Sequence, residues 1–293
     1  MLNRRILRIK AFKAVYSYAE NQSLSPKDVI AQTDKSCEST RDLYLFLLGL
    51  VPAVTAEASA RTEAARAKFN PTAEERNPNM KFIFNKISPL LSEDPDFCKL
   101  FSKKKLSWEQ YDVFIRHLYE SVRDSDYFKK YMTSGDASIK EDAGLWADIF
   151  ANELEDNSEL EEILEDLNIW WNDDLVYAVN WCCTTMDTFA KGRRWNLPEL
   201  YSDDKDFIHN IVTKAVISFD RYYDEVAGLT DKWEKSRICP TDLALIVTGA
   251  AEHDSCSEVP TKVTINEYVE IAKFYSPESR AFINGILDKL INR

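Results

Sequence analysis

Helix-breaking residues are scarce in this chain. Seven Gly and ten Pro are spread over 293 residues, and long runs carry no turn signal. That excludes a turn-dense β architecture and predicts an all-helical soluble protein. No pair of alternating strands, heptad repeat or low-complexity tract is visible. Long apolar runs are also missing: the longest, Leu43 to Val54, is interrupted by Gly49 and Pro52 and is shorter than a membrane span requires. At the N-terminus, Arg4, Arg5, Arg8, Lys10 and Lys13 are interleaved with apolar residues. No uncharged stretch with a small-residue cleavage site follows, so no signal peptide is expected and the chain is read as cytoplasmic.

Metal and nucleophile patterns are absent too. The six cysteines (Cys37, Cys98, Cys182, Cys183, Cys239 and Cys256) show no C-x-x-C spacing. The adjacent Cys182 and Cys183 are poorly placed to chelate one tetrahedral ion. His117, His209 and His253 have no sequence neighbours that suggest a triad or a metal site, so ordinary polar contacts are expected for them. No glycine-rich cofactor loop is present. The sequence predicts no enzyme, no cofactor, no metal and no small-molecule substrate.

The net charge of -12 argues at first sight against nucleic acid. Its distribution changes that inference. From Glu153 to Asp174 the chain holds ten acidic residues and no Lys or Arg. The remainder is nearly neutral, and the first twenty residues are basic. The acidic run is read as a solvated helix surface, and the basic start as a local anion-binding face.

Along the chain, a first helix is expected from Asn3 to Glu20. Leu7, Ala11, Ala14, Val15 and Tyr18 form its core stripe, and Arg5, Arg8, Phe12 and Tyr16 a second stripe. Ser25 is an N-cap with Pro26 at the first helical position. Helix then continues with interruptions to Phe69, and Asn70-Pro71 and Asn77-Pro78-Asn79 break it. Further helical pieces are Trp108–Arg123, Ala143–Asn157, Glu159–Leu167 and Asp174–Ala190, with turns at Ser134-Gly135-Asp136 and Trp171-Asn172-Asp173. A helix from about Asp203 carries Phe207, Ile211, Ala215 and Phe219. Ile238 to Glu252 is apolar on nearly all sides, which suits the central helix of a bundle. Thr264 and Glu267 have capping-box spacing, and Ser276-Pro277-Glu278 resembles another helix start.

The most specific motif closes the chain. It runs Val259-Pro260-Thr261-Lys262-Val263-Thr264-Ile265-Asn266-Glu267, followed by Phe282-Ile283-Asn284-Gly285-Ile286-Leu287-Asp288-Lys289. With Arg4-Arg5, Arg8 and Val15-Tyr16-Ser17-Tyr18 at the other end, it resembles the NusB family of transcription antitermination factors. Trp233, Arg237, Asp242 and Glu252 precede the closing motif in the family's order. Both Arg41–Val51 and Asp206–Val216 resemble the family's middle helix, and chain continuity favours the second. The long middle segment resembles the family's expanded form.

The resemblance implies an all-α bundle of two three-helix subdomains enlarged by a helical insert. The expected divisions are 1–70 for the N-terminal helices, 71–202 for the insert (acidic in 153–174), and 203–293 for the C-terminal half. It also implies binding of boxA-type single-stranded RNA together with NusE, a small-subunit ribosomal protein, in the RNA polymerase elongation complex, without a catalysed reaction. An RNA-binding helix needs cations for phosphates and flat rings for unpaired bases. Arg4, Arg5, Arg8, Lys10, Lys13 and Tyr16 supply both, and Phe282 matches a family phenylalanine at the RNA surface. Asp242 matches an acid on the surface that meets NusE, a basic partner. Glu267 is expected to serve as a cap and Gly285 to permit close helix packing. The alternative is a non-catalytic helical interaction scaffold that retains the fold without RNA contact; burial of Tyr16 and Phe282 would favour it.

Overall fold

A computed structural model describes residues 2–171, 173–201, 205–230 and 237–292. Asn172, Asp203 and Trp233, singled out above, lie outside the described residues. Every regular element among the described residues is helical. The chain divides into two compact units, one formed by Met1–Glu38 with Glu199–Arg293 and the other by Ser39–Pro198.

Helix α1 (Arg4–Glu20) begins where the Asn3 side chain accepts from the Ile6 amide at 3.1 Å. Helix α2 (Pro26–Leu48) starts as expected: the Ser25 hydroxyl accepts from the Asp28 amide at 3.2 Å, and Pro26 occupies the first helical position. The junction between units falls inside α2, 32 residues before the expected division at 70. Leu43 to Leu48 at the end of α2 are buried in the apolar core of the second unit, which assigns residues 39–70 to that unit. The downstream junction at 198 falls close to the expected 202.

The central unit continues with α3 (Leu50–Arg66), α4 (Ala73–Arg76), α5 (Ile87–Ser92), α6 (Pro95–Lys103), α7 (Asp112–Asp124), α8 (Asp126–Thr133), α9 (Ile139–Glu153), α10 (Ser158–Leu167) and α11 (Leu175–Ala190). Helices α4, α5, α6 and α8 each span nine residues or fewer, shorter than the window over which a helical period is read, which explains why they are not expected individually. Helices α9 and α11 pack side by side. Their neighbours form an aromatic core in which Phe46 stacks on Trp108 at 3.9 Å and on Trp171 at 5.5 Å. Asn85 is a polar group buried with the rings, and it is hydrogen-bonded. The Asn85 side chain accepts from the amides of Ile87 and Ser88 and from the Trp146 indole. The Leu43–Val54 run belongs to a longer helical stretch, Pro26–Arg66, that meets the length and composition of a membrane span. The most apolar window of that stretch is 67% buried inside the protein, which accounts for its composition.

The terminal unit is completed by α12 (Lys205–Ile217), α13 (Phe219–Leu229), α14 (Pro240–Ser255), α15 (Thr261–Tyr275) and α16 (Arg280–Ile291). Helix α14 is buried continuously from Asp242 to Glu252 and packs against α1, α12, α13, α15 and α16. The near-continuous apolarity from Ile238 to Glu252 therefore marks the central helix, as expected. Phe219 opens α13 instead of continuing the helix that carries Phe207, Ile211 and Ala215.

The packing glycine differs from expectation. A Cβ on Gly285 would meet nothing within 4 Å. On Gly249 in α14 it would lie 2.9 Å from Leu287 Cδ2 and 3.1 Å from Tyr268 Cδ2, so Gly249 allows α14 to approach α15 and α16. Chemical denaturation of two variants tests this assignment. Gly249→Ala should lose about 1–3 kcal/mol through overpacking. Gly285→Ala should gain up to about 1 kcal/mol, because Ala is the better helix former. The reverse ranking would refute the assignment.

Candidate nucleic-acid interface

Helix α1 starts with cations and has no acid in its first turn. Positive charge at a helix N-terminus opposes the macrodipole by about 0.3–1 kcal/mol per group. Carboxylates from other elements offset it. Arg4 Nη2 lies 3.8 Å from Glu258 Oε1, and the Arg4 guanidinium sits 4.8 Å from the centre of the Phe207 ring. Arg5 donates through Nε and Nη2 to both oxygens of Glu267 on α15, at 3.0 and 2.8 Å. Arg8 makes the same kind of fork with Glu252 on α14, at 2.8 and 2.7 Å. Its Nη1 is also 3.6 Å from Glu267 Oε2.

Arg8 is therefore not a surface cation. It is 4% exposed and Glu252 is fully buried. Glu252 also accepts from the Thr264 hydroxyl at 3.0 Å and the Tyr268 hydroxyl at 3.1 Å, which connects α1, α14 and α15 at one carboxylate. Burial alone would lower the Arg8 pKa; hydrogen bonding to Glu252 and the surrounding negative charge outweigh it, and the net shift is upward. Burial, reinforced by the Glu252 charge, raises the Tyr268 hydroxyl well above its ordinary value. Lys10 is likewise inside, 3% exposed, with Nζ donating to the Ser36 carbonyl at 2.9 Å and to its hydroxyl at 3.1 Å.

The network also corrects the capping box. Helix α15 begins at Thr261, so Thr264 lies within it, and its hydroxyl donates to Glu252 instead of capping. Glu267 pairs with Arg5. Near the next turn, the Ser276 hydroxyl donates to Asp242 at 2.6 Å. Asp242 is only 5% exposed, which removes it as a surface acid for a basic partner. A 3-10 turn, Pro277–Ser279, intervenes before α16.

Of the expected residues, Tyr16 and Lys13 occupy the outer part of α1. Tyr16 is 38% exposed. Its ring lies 6.5 Å from Phe12, which meets Tyr275 edge-on at 5.1 Å. Lys13 Nζ lies 5.8 Å from the centre of the Tyr275 ring. Phe12 itself is buried, so the surface here consists of Tyr16 and Lys13 of α1 with half-buried Tyr275 at the C-terminal end of α15, and Phe12 lies between the two tyrosine rings. Phe282, near the start of α16, is half-buried. Neither Tyr16 nor Phe282 is buried, so the burial that would favour the scaffold reading is not observed. Sequence reasoning missed Tyr275, which lies between the two halves of the closing motif, and the pairing of Glu252 with Arg8. The available signal for that pair was a lone carboxylate closing an apolar helix and an arginine beside the apolar stripe of α1.

The histidines make polar contacts. His117 Nδ1 is 3.0 Å from Glu159, His209 Nε2 is 2.8 Å from Asp34, and His253 Nδ1 is 3.5 Å from the Thr261 hydroxyl. Among the described residues no group of three or more His, Cys, Asp or Glu could hold a metal ion.

Comparison with known proteins matches residues 184–292 to the NusB family model. A "Transcription antitermination protein NusB" of Chloroherpeton thalassium is 36% identical over 122 residues, covering 40% of this chain and 56% of that protein. The protein of the same name from Finegoldia magna is 36% identical over 92 residues, 31% of this chain and 67% of the relative. That from Natranaerobius thermophilus is 28% identical over 124 residues, 42% of this chain and 84% of the relative. The chain thus spans little more than half of the Chloroherpeton protein. No solved structure matches. The fold is an all-helical NusB-like bundle with additional helices. The chain belongs to the NusB family.

The ion-pair network makes two stability predictions. Glu252→Leu, which strips buried Arg8 of its hydrogen-bonded carboxylate and leaves it only the 3.6 Å contact with Glu267, should cost about 3–5 kcal/mol in urea denaturation. Adding Arg8→Met should recover most of that loss, since an apolar pair of similar volume is often neutral or better. Hydrogen bonds from Arg5, aided by the charges of Arg5 and Arg8 and opposed by burial, hold the Glu267 carboxyl below its ordinary range. Its contribution to stability is therefore complete above the unfolded value, about pH 4.3, and is lost as pH falls through the lower folded value. Glu267→Gln should make stability fall less steeply below pH 4.3; an unchanged acid limb would contradict the assignment.

Proposed function

We propose that this protein is a non-catalytic, cytoplasmic transcription antitermination factor. It binds boxA-type single-stranded RNA together with NusE and modulates RNA polymerase elongation. Family membership and the names of its relatives support the class. The observation that carries the RNA reading is the exposed Tyr16 ring on α1, backed by buried Phe12, with Lys13 beside half-buried Tyr275 on the same side.

This surface suits unpaired bases better than duplex. A ring offers a stacking face to any base, worth about 1–3 kcal/mol per base, and Lys13 is placed for a phosphate beside it. Arg4 and Phe282 extend the proposed contact. Arg8 and Lys10 stabilise the fold from within, and Arg5 is engaged by Glu267. Few cations thus remain to act on phosphate, and stacking carries a large share of the affinity.

Fluorescence anisotropy with a labelled boxA RNA, at low salt and with and without NusE, tests the proposal. Binding should appear at low salt and strengthen with NusE. Tyr16→Ala should weaken it by about 1–3 kcal/mol. Lys13→Gln should make the slope of log affinity against log salt shallower by about 0.7, the value of one single-strand phosphate contact. No binding at low salt under either condition would reject the proposal.

A further inference from the structure

We propose that Glu267 occupies the phosphate-binding edge of Arg5 and thereby sets how much positive charge α1 presents to RNA; this inference rests on the RNA-binding reading above. The two Arg5 contacts, 3.0 Å from Nε and 2.8 Å from Nη2, engage both oxygens of one carboxylate. A guanidinium binds a phosphate with the same two-pronged geometry, so Glu267 and an RNA phosphate exclude one another on that edge.

Glu267 is also anchored from behind. Its Oε2 lies 3.6 Å from Nη1 of Arg8, whose own fork is fixed by fully buried Glu252. Glu252, Arg8, Glu267 and Arg5 therefore form a ladder of alternating charge from the interior to the surface. Thr264 and Tyr268, three residues before Glu267 and one after it, bind the inner end at Glu252 and fix the register of α15. Arriving RNA meets a carboxylate that cannot swing away without abandoning Arg8. Arg5, half-exposed at the outer end, is the member that would have to move. The protein thus limits its own RNA affinity through a residue of the closing motif.

The test measures RNA affinity and its salt dependence for the full chain and three variants, with thermal unfolding followed in parallel. Glu267→Gln keeps the side-chain shape and leaves the Arg8–Glu252 fork in place, so it should fold. Binding should tighten about two- to fivefold, the range for a partly exposed ion pair. The salt slope should steepen by about 0.7 as Arg5 acquires a phosphate. Adding Arg5→Ala to Glu267→Gln should return the slope to that of the unsubstituted protein. Glu258→Gln removes the same charge beside Arg4, whose 3.8 Å contact is longer than a hydrogen bond, and should leave the slope unchanged.

Weaker binding by Glu267→Gln would make Glu267 a positioning residue for Arg5 and overturn the proposal. Tighter binding with an unchanged slope, or equal effects from Glu258→Gln, would reduce it to general electrostatics and also overturn it. Either result with RNA binding intact leaves the proposed function standing. Absence of binding by every form, the unsubstituted protein included, rejects both.

Discussion

Glu252 is the group on which the terminal unit depends. A fully buried carboxylate is tolerable only when its lone pairs are satisfied and its charge is met. Here four donors converge on it, two from Arg8, one from Thr264 and one from Tyr268. They come from α1 and α15, while Glu252 sits on α14, the helix that touches most of its unit. Apolar packing alone would tolerate a small slide of one helix along another. The fork and the two hydroxyls do not, because each has a single geometry that satisfies it. Gly249, one turn earlier on α14, supplies the complementary condition by letting α15 and α16 come close enough for those bonds to form.

This arrangement explains which features were legible in the sequence. The all-helical class followed from the scarcity of Gly and Pro, and α14 was readable as the central helix because its apolarity runs around the whole cylinder. The Ser25-Pro26 start was readable because capping is local. The roles of Thr264 and Glu267 were not. Their spacing fits a capping box, yet on an established helix it aims Glu267 at the arginines of α1 and Thr264 at Glu252 of α14. For Glu267 the choice depends on a partner 262 residues away in sequence, which local reasoning does not see. Arg8 and Lys10 were misread for a related reason. Periodicity assigns charged residues to the solvent face, and a helix buried on more than one side hides them only when tertiary partners are present, here Glu252 and Ser36. In the central unit, the division inside α2 was hidden because a continuous helix carries no break signal where its surroundings change.

The charge distribution follows the division into units. Residues 39–198 carry 28 Asp and Glu against 19 Lys and Arg, whereas the remainder carries 21 against 18. The acidic run 153–174 belongs wholly to the central unit. The carboxylates that neutralise α1 are different ones, Glu252, Glu258 and Glu267, contributed by the end of α14, the turn after it, and α15. The net charge of the whole chain therefore says little about α1, whose electrostatics are set at contact distance by its own unit.

A helix that commits its arginines to internal carboxylates binds nucleic acid by different means from one that leaves them in solvent. Free arginines give strong attraction that decays with added salt and discriminates poorly between sequences. Exposed rings give contacts that depend on bases being unstacked and presented. With Arg8 and Lys10 inside and Arg5 held by Glu267, the RNA binding proposed for α1 is of the second kind, through Tyr16. Selectivity for single strands then comes from the cost of supplying an unpaired base, and a protein partner that presents such a strand contributes more than one that only adds charge. The ion pairs that stabilise the bundle and the modest charge of its proposed RNA surface are thus two consequences of one arrangement of side chains.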